Sequence, residues 1–229
     1  MPGVLHHLYF AEAATYYLGE YTKKRESAYD RTRLNKQNFY LGNILPDLLK
    51  KKDDLHFKKE SETEKGFFVP DLKEARKVIW RIKDPSLRIG VFAHLYLDRC
   101  FIKYFLYPQF NYNYQRNLLY NRRTGKTYTR DEFFSPKGLY YGYSELNRRI
   151  VTDHLVDLDY IKSLPEWPPS TGVAKYDNWR EKSWREELDE YLEGMVYTTD
   201  KVFPSDAFIA FVEEVALQFS IHNMYGDFC

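Results

Sequence analysis

Cysteine is scarce in this sequence. Only Cys100 and Cys229 occur in 229 residues, and they lie far apart. That excludes a disulfide framework or a thiolate metal cluster, and it points to residence in the cytoplasm. Long apolar runs are missing too: no stretch of about 18 residues is free of charge, so no membrane-spanning helix is expected. The N-terminal MPGVLHHLYF lacks the basic start, apolar run and small-residue cleavage site of an export signal. Excess charge of one sign is also absent. Lys+Arg 34 stand against Asp+Glu 33, for a net charge of +1, which gives no strong nucleic-acid signature while leaving room for a local basic patch. The chain contains neither a phosphate-cradling Gly-rich loop, nor a dinucleotide fingerprint, nor a Gly-x-Ser-x-Gly nucleophile elbow.

What is abundant is aromatic. Phe, Trp and Tyr make up 18% of the chain, with Tyr 21 and Phe 16. A tyrosine buries well only when its hydroxyl finds a partner or water, so many of these rings are expected to line a cleft or a wet interface. The length suits one domain spanning residues 1–229.

Apolar residues recur at helical spacing in Leu5–Tyr21, Phe39–Leu49, Leu72–Ile82, Leu87–Phe105, Tyr143–Ile161, Trp179–Met195 and Ala207–Met224. The pattern predicts an all-α, multi-helix bundle. Pro70-Asp71, Asp84-Pro85-Ser86 and Pro204-Ser205-Asp206 mark helix starts. Asp53–Lys65 reads as a charged, solvated connection and Pro165–Ala174 as an ordered turn. One excursion departs from the helical period: Leu118–Asn121 and Thr127–Thr129 flank Arg122-Arg123-Thr124-Gly125-Lys126, as in a short β-hairpin near 118–129.

The segment from Leu87 to Phe105 carries His94 and Asp98 on or beside its apolar stripe. An inward Asp needs a cation, an Arg or Lys, or strong donors, since an unpartnered buried carboxylate costs several kcal/mol. His and Asp at i and i+4 can ligate one metal; equally, they can bond each other within a core. Gly90, one turn earlier, implies close approach of another segment or a ligand. A second group is Gly42, Pro46 and Asp47 with His56 beyond it, where proline breaks the helix beside a carboxylate. The plain alternative is a surface turn capped by Asp47 with a solvated His56. The first helix opens with His6-His7, of which only one is expected to face inward with Phe10; His7 is favoured and His6 held in reserve.

Together these pieces resemble the zinc-dependent phospholipase C family, with its N-terminal His, Gly-x-x-x-Pro-Asp, a later His and Gly-x-x-x-His-x-x-x-Asp, over roughly residues 1–105. The resemblance implies the all-α fold that this family shares with the single-strand-specific zinc nucleases. It also implies one to three zinc ions, with His7, Asp47, His56, His94 and Asp98 as carried-over ligands. Where the family has a further His-x-x-x-Glu, this chain has Tyr141 and Glu145, so Glu145, Asp153 and His154 become candidates for a relocated ligand. The secreted members also use a processed N-terminal amine, whereas this chain starts Met1-Pro2. The implied function is hydrolysis of phosphate esters, that is, phosphodiesterase chemistry on a small molecule or a lipid head group. A metal-activated water would attack, with Asp47 as ligand or general base. Arg122 and Arg123, on the hairpin among Arg116, Lys126, Arg130 and several tyrosines, would grip an anionic substrate; otherwise they form a plain solvated loop. Two other readings stand beside this one: a non-catalytic scaffold with a structural metal, and a helical phosphohydrolase of the His-Asp type. The second is disfavoured because only Asp153-His154, in reverse order, occurs.

Overall fold

The computed structural model of the chain describes residues 3–24, 34–50, 55–60, 67–113, 115–133, 135, 138–193 and 204–225. It is an all-α fold with two small antiparallel sheets. The helices are α1 (Val4–Lys24), α2 (Lys36–Ile44), α3 (Leu72–Ile79), α4 (Pro85–Cys100), α5 (Arg130–Phe133), α6 (Leu139–Thr152), α7 (Leu158–Ser163), α8 (Trp184–Glu193) and α9 (Ser205–Tyr225). Among the described residues no helix is long and apolar enough to cross a membrane.

The centre of the molecule is α4. Its start is set by Asp84, whose Oδ1 accepts from Leu87 N at 2.7 Å, with Pro85 in the first turn. Asp84 Oδ2 also accepts from Asn38 Nδ2 at 2.8 Å, which ties the start of α4 to α2. Gly90 to Leu95 are all buried, so α4 is packed nearly all round rather than on one stripe. The two glycines have the same cause. A Cβ on Gly42 would lie 2.2 Å from Leu87 O, and one on Gly90 2.2 Å from Phe39 O; the close neighbour expected at Gly90 is therefore the backbone of α2.

On the opposite side α1 packs against α9. Ser220 Oγ donates to Ala14 O at 3.2 Å, and the hydroxyls of Tyr9 and Tyr17 donate to the two oxygens of Glu213 at 2.7 and 2.9 Å. A long buried aromatic is stabilised here because its hydroxyl has a partner.

The departures from the predicted elements occur where local chemistry overrides period. Pro46 ends α2 at Ile44, and Leu45–Leu48 continues as a 3₁₀ turn. Phe101–Leu106 prolongs α4 as a π-helical turn. The segment expected as one helix over Tyr143–Ile161 is two: α6 stops at Thr152, His154 takes φ +52°, and Asp157 caps α7 by accepting from Tyr160 N at 2.9 Å. Trp179 lies in an isolated bridge to Leu49, so among the described residues of that stretch only Trp184–Glu193 is helical. Within the expected solvated connection, Lys58–Glu60 (β1) pairs with Phe68–Pro70 (β2), a three-residue ladder too short to show a period.

The expected hairpin is present and larger than the sequence suggests. Phe110–Asn113 (β3), Leu118–Asn121 (β4) and Thr127–Thr129 (β5) form an antiparallel sheet in which Asn111 faces Tyr120 and Tyr120 faces Thr127. Gly125 makes the turn at φ +71°.

Candidate metal centre

Four separate pieces of chain deliver five polar side chains to one buried point. The helix α1 brings His7, the 3₁₀ turn brings Asp47, the residue pair before β1 brings His56, and α4 brings His94 and Asp98. His7, His56, His94 and Asp98 are 0% exposed and Asp47 is 4%. Asp98 lies among three imidazoles, 3.5 Å from His7 Nε2, 3.6 Å from His56 Nε2 and 3.5 Å from His94 Nε2. Asp47 Oδ1 is 3.5 Å from His56 Nε2. Two overlapping groups, His7–His94–Asp98 and Asp47–His56–His94, each offer ligand atoms within 4.8 Å of one another.

These spacings are those of ligands rather than of hydrogen bonds. Two donors each about 2.1 Å from a tetrahedral zinc ion lie about 3.4 Å apart. Both oxygens of Asp98 and both ring nitrogens of His7 are buried without a hydrogen-bond partner. A carboxylate in that state costs several kcal/mol unless a cation compensates it, and a zinc ion would satisfy Asp98 together with one ring nitrogen of His7, Nε2, which faces it.

The ring of His94 is set by a group that has no sequence signature. Its Nδ1 lies 2.7 Å from the backbone oxygen of Asn43. A carbonyl can only accept, so Nδ1 carries the proton and, in the neutral ring, Nε2 presents its lone pair toward His56 Nε2 at 3.0 Å. The rings of His7 and His94 stack at 3.6 Å. Burial, reinforced by His94 and opposed by Asp98, pushes His7 down to about 4, which leaves it neutral at pH 7. Burial alone would raise the Asp98 carboxyl, but His94 and His7 outweigh it and hold the group well below the usual carboxylate range.

A family profile for zinc-dependent phospholipase C matches residues 6–147, more than half of the chain. The chain belongs to the zinc-dependent phospholipase C family. All five clustered residues fall inside the matched stretch. Comparison with curated proteins and with solved structures gives no match.

Both members of the His6-His7 pair are buried, contrary to the expectation that only one faces inward. The reason is that α1 is covered on two sides. His7 meets α4, while His6 sits between Tyr143 of α6 and Phe208 of α9 at 4.7 and 5.1 Å, with Nδ1 accepting from Gly3 N.

The candidates for a relocated ligand are not brought to the cluster. Glu145 is held by Arg148 through two hydrogen bonds of 3.1 and 2.9 Å. Asp153 is exposed at the end of α6 and paired with Arg149 at 2.9 Å, and His154 is exposed at the break between α6 and α7. Neither group that could hold an ion includes any of the three. The side chain of Tyr141 lies outside the described ones. Arg122 and Arg123 are exposed at the hairpin turn, and Arg122 Nε donates to Asn111 Oδ1 at 2.8 Å.

Besides Asn43, one chain of residues near Asp47 escaped the sequence reading. Arg180 N donates to Leu48 O at 2.8 Å, its guanidinium pairs with Glu187, and Tyr191 donates to Glu187 Oε1 at 2.7 Å. Burial, Glu187 and Asp47 all push the Tyr191 phenol up, so it remains a donor. Its only trace in the sequence was the i, i+4 spacing of Glu187 and Tyr191.

Proposed function

We propose that this chain is a single-domain, metal-dependent hydrolase of phosphate esters, phospholipase C-like, with zinc held by His7, Asp47, His56, His94 and Asp98. The observation that carries the reading is the set of donor separations near 3.5 Å around Asp98, in a chain whose family is zinc-dependent. Bound zinc supplies Lewis acidity and acidifies a water toward pH 7. The residues supply the rest. Asp98 places its negative charge beside three imidazoles, and Asn43 O holds His94 in the tautomer that points Nε2 inward. Asp47, the one cluster residue with measurable exposure, is placed to ligate or to take a proton at its carboxylate. Arg122 and Arg123 are proposed to grip the anionic substrate, a small phosphate ester or a lipid head group. An unchanged KM in the doubly substituted Arg122→Ala, Arg123→Ala protein would remove them from that role. The scarcity of cysteine fits cytoplasmic residence.

Near-complete burial of the cluster also suits a structural ion in a non-catalytic scaffold, so the test separates metal from chemistry. Purified protein is analysed for zinc beside a His94→Ala, Asp98→Ala variant whose helicity is checked by circular dichroism. Zinc in the wild type alone is expected, and equal content in both would sink the metal assignment. The zinc-loaded protein is then assayed on a panel of phosphodiesters. Hydrolysis that the variant lacks supports the enzyme; bound zinc with no hydrolysis returns the structural reading.

A further inference from the structure

The buried centre makes no use of the charge on α3 and the turn after it. From Leu72 to Lys83 the segment carries Lys73, Arg76, Lys77, Arg81 and Lys83 against Glu74 alone. That local excess of four positive charges sits in a chain whose net charge is +1. Its distribution is amphipathic: Ala75, Ile79 and Ile82 are buried, while Lys73, Lys77, Trp80, Arg81 and Lys83 are exposed. Glu74 is taken by Lys77 at 2.7 Å. Lys73, Arg76, Arg81, Lys83 and, from α4, Arg88 have no ion-pair partner among the described residues.

In the middle of these cations stands an indole. Trp80 is 36% exposed, and the guanidinium groups of Arg76 and Arg88 lie 4.8 and 5.6 Å from its ring centroids. Phe92 meets the ring edge-on at 5.6 Å. Phe92 therefore braces the tryptophan from the core side while part of the ring stays outside, surrounded by uncompensated positive charge.

We propose that this face docks the protein on anionic lipid bilayers. A tryptophan with an apolar body and one N–H is at its best at the boundary between head groups and acyl chains. A short amphipathic helix with Lys and Arg on its outer side is drawn to an anionic surface and lies along it. Arginine and lysine stems extend the apolar contact while their heads reach phosphate. Nucleic acid would need a free ring face for base stacking, and two guanidinium groups together with Phe92 already occupy the surroundings of Trp80. The proposal rests on this helix face and not on the metal centre, so the two succeed or fail separately.

The test is co-sedimentation of the full chain with phosphatidylcholine vesicles and with vesicles in which about a third of the lipid is phosphatidylglycerol. The wild type is expected to sediment with the anionic vesicles, to stay in solution with the neutral ones, and to be released by high salt as the Debye length shortens. Lys73→Gln, Arg81→Gln, Lys83→Gln, all at exposed positions, should weaken anionic-vesicle binding about tenfold with an unchanged circular-dichroism melt. Trp80→Ala should weaken anionic-vesicle binding at low salt without changing the salt concentration at which half of it is lost. Equal binding of the triple variant, equal binding to neutral vesicles, no binding at all, or a stronger affinity for single-stranded RNA than for anionic vesicles would each overturn the proposal.

Discussion

Gly42 and Gly90 meet where α2 crosses α4, and each stands where a side-chain carbon would fall 2.2 Å from a backbone oxygen of the other helix. This crossing also presses Asn43 O against His94 Nδ1 at 2.7 Å, so the closeness of two helices and the orientation of a candidate ligand have one cause.

Gly90→Ala is therefore expected to destabilise the protein, even though alanine is the better helix former by about 1 kcal/mol. The clash is with backbone, which cannot rotate away, and overpacking of this kind costs about 1–3 kcal/mol or more. Thermal unfolding should shift down by several degrees and zinc retention should fall with it. A variant as stable as the wild type would show that the helices do not cross so closely.

Metal removal should be visible in stability as well as in activity. A ligand at about a hundredfold excess over its Kd stabilises by about 2.7 kcal/mol, roughly 5–10 °C in a domain of this size. Stripping zinc with a chelator should lower Tm by that order, and adding zinc back should restore it. A chelated sample that melts at the original temperature would argue against an ion compensating the Asp98 carboxylate.

The metal-free protein should lose stability as pH falls from about 6.5 to about 4. Burial pushes His6 down to about 3, helped by His7, and pushes His7 down to about 4, whereas both titrate near 6.5 when unfolded. Within that window the unfolded chain binds protons that the folded chain refuses, so the unfolding free energy drops with pH. His94 is shifted the other way: burial lowers it, but Asp98 and Asp47 outweigh that and raise it. Its contribution is fully present below about 6.5 and is lost as pH rises from there through its folded value, so it leaves the slope between 6.5 and 4 nearly unchanged and offsets only part of the difference measured from pH 7. Denaturant titrations at pH 7 and pH 5 should differ by a few kcal/mol, and His6→Phe should reduce the difference. A flat profile would contradict the neutral, buried state of these rings.

Glu145→Gln should leave zinc content unchanged, because the carboxylate is engaged by Arg148 and is absent from both candidate groups. The expected cost is about 1 kcal/mol of stability from the partly exposed ion pair. Loss of a full equivalent of zinc would restore Glu145 to the ligand set.

Much of this arrangement was legible in the sequence, for identifiable reasons. A helix repeats every 3.6 residues, so the stripe around Leu87, Val91 and Leu95 announced α4 and showed His94 and Asp98 turning inward. Proline beside Asp47 announced a broken helix. What stayed hidden was information that a periodic pattern does not carry. The break after Thr152 depends on one residue in the left-handed region, His154, and it sends Asp153 to the surface. The strands Lys58–Glu60 and Phe68–Pro70 are too short for alternation to register.

The sequence by itself determined the helical class, the hairpin turn at Gly125 and the inward turn of His94 and Asp98. Only the tertiary structure decided which of them meet. Burial on two sides of α1 put His6 and His7 in different surroundings. The α2–α4 crossing supplied a backbone carbonyl, which any residue type could have provided. Glu145 pairs with Arg148 and Asp153 with Arg149, outside both groups that could hold an ion. Periodicity assigns a side chain to a face of its own helix, but the partner across that face comes from the chain's long-range packing.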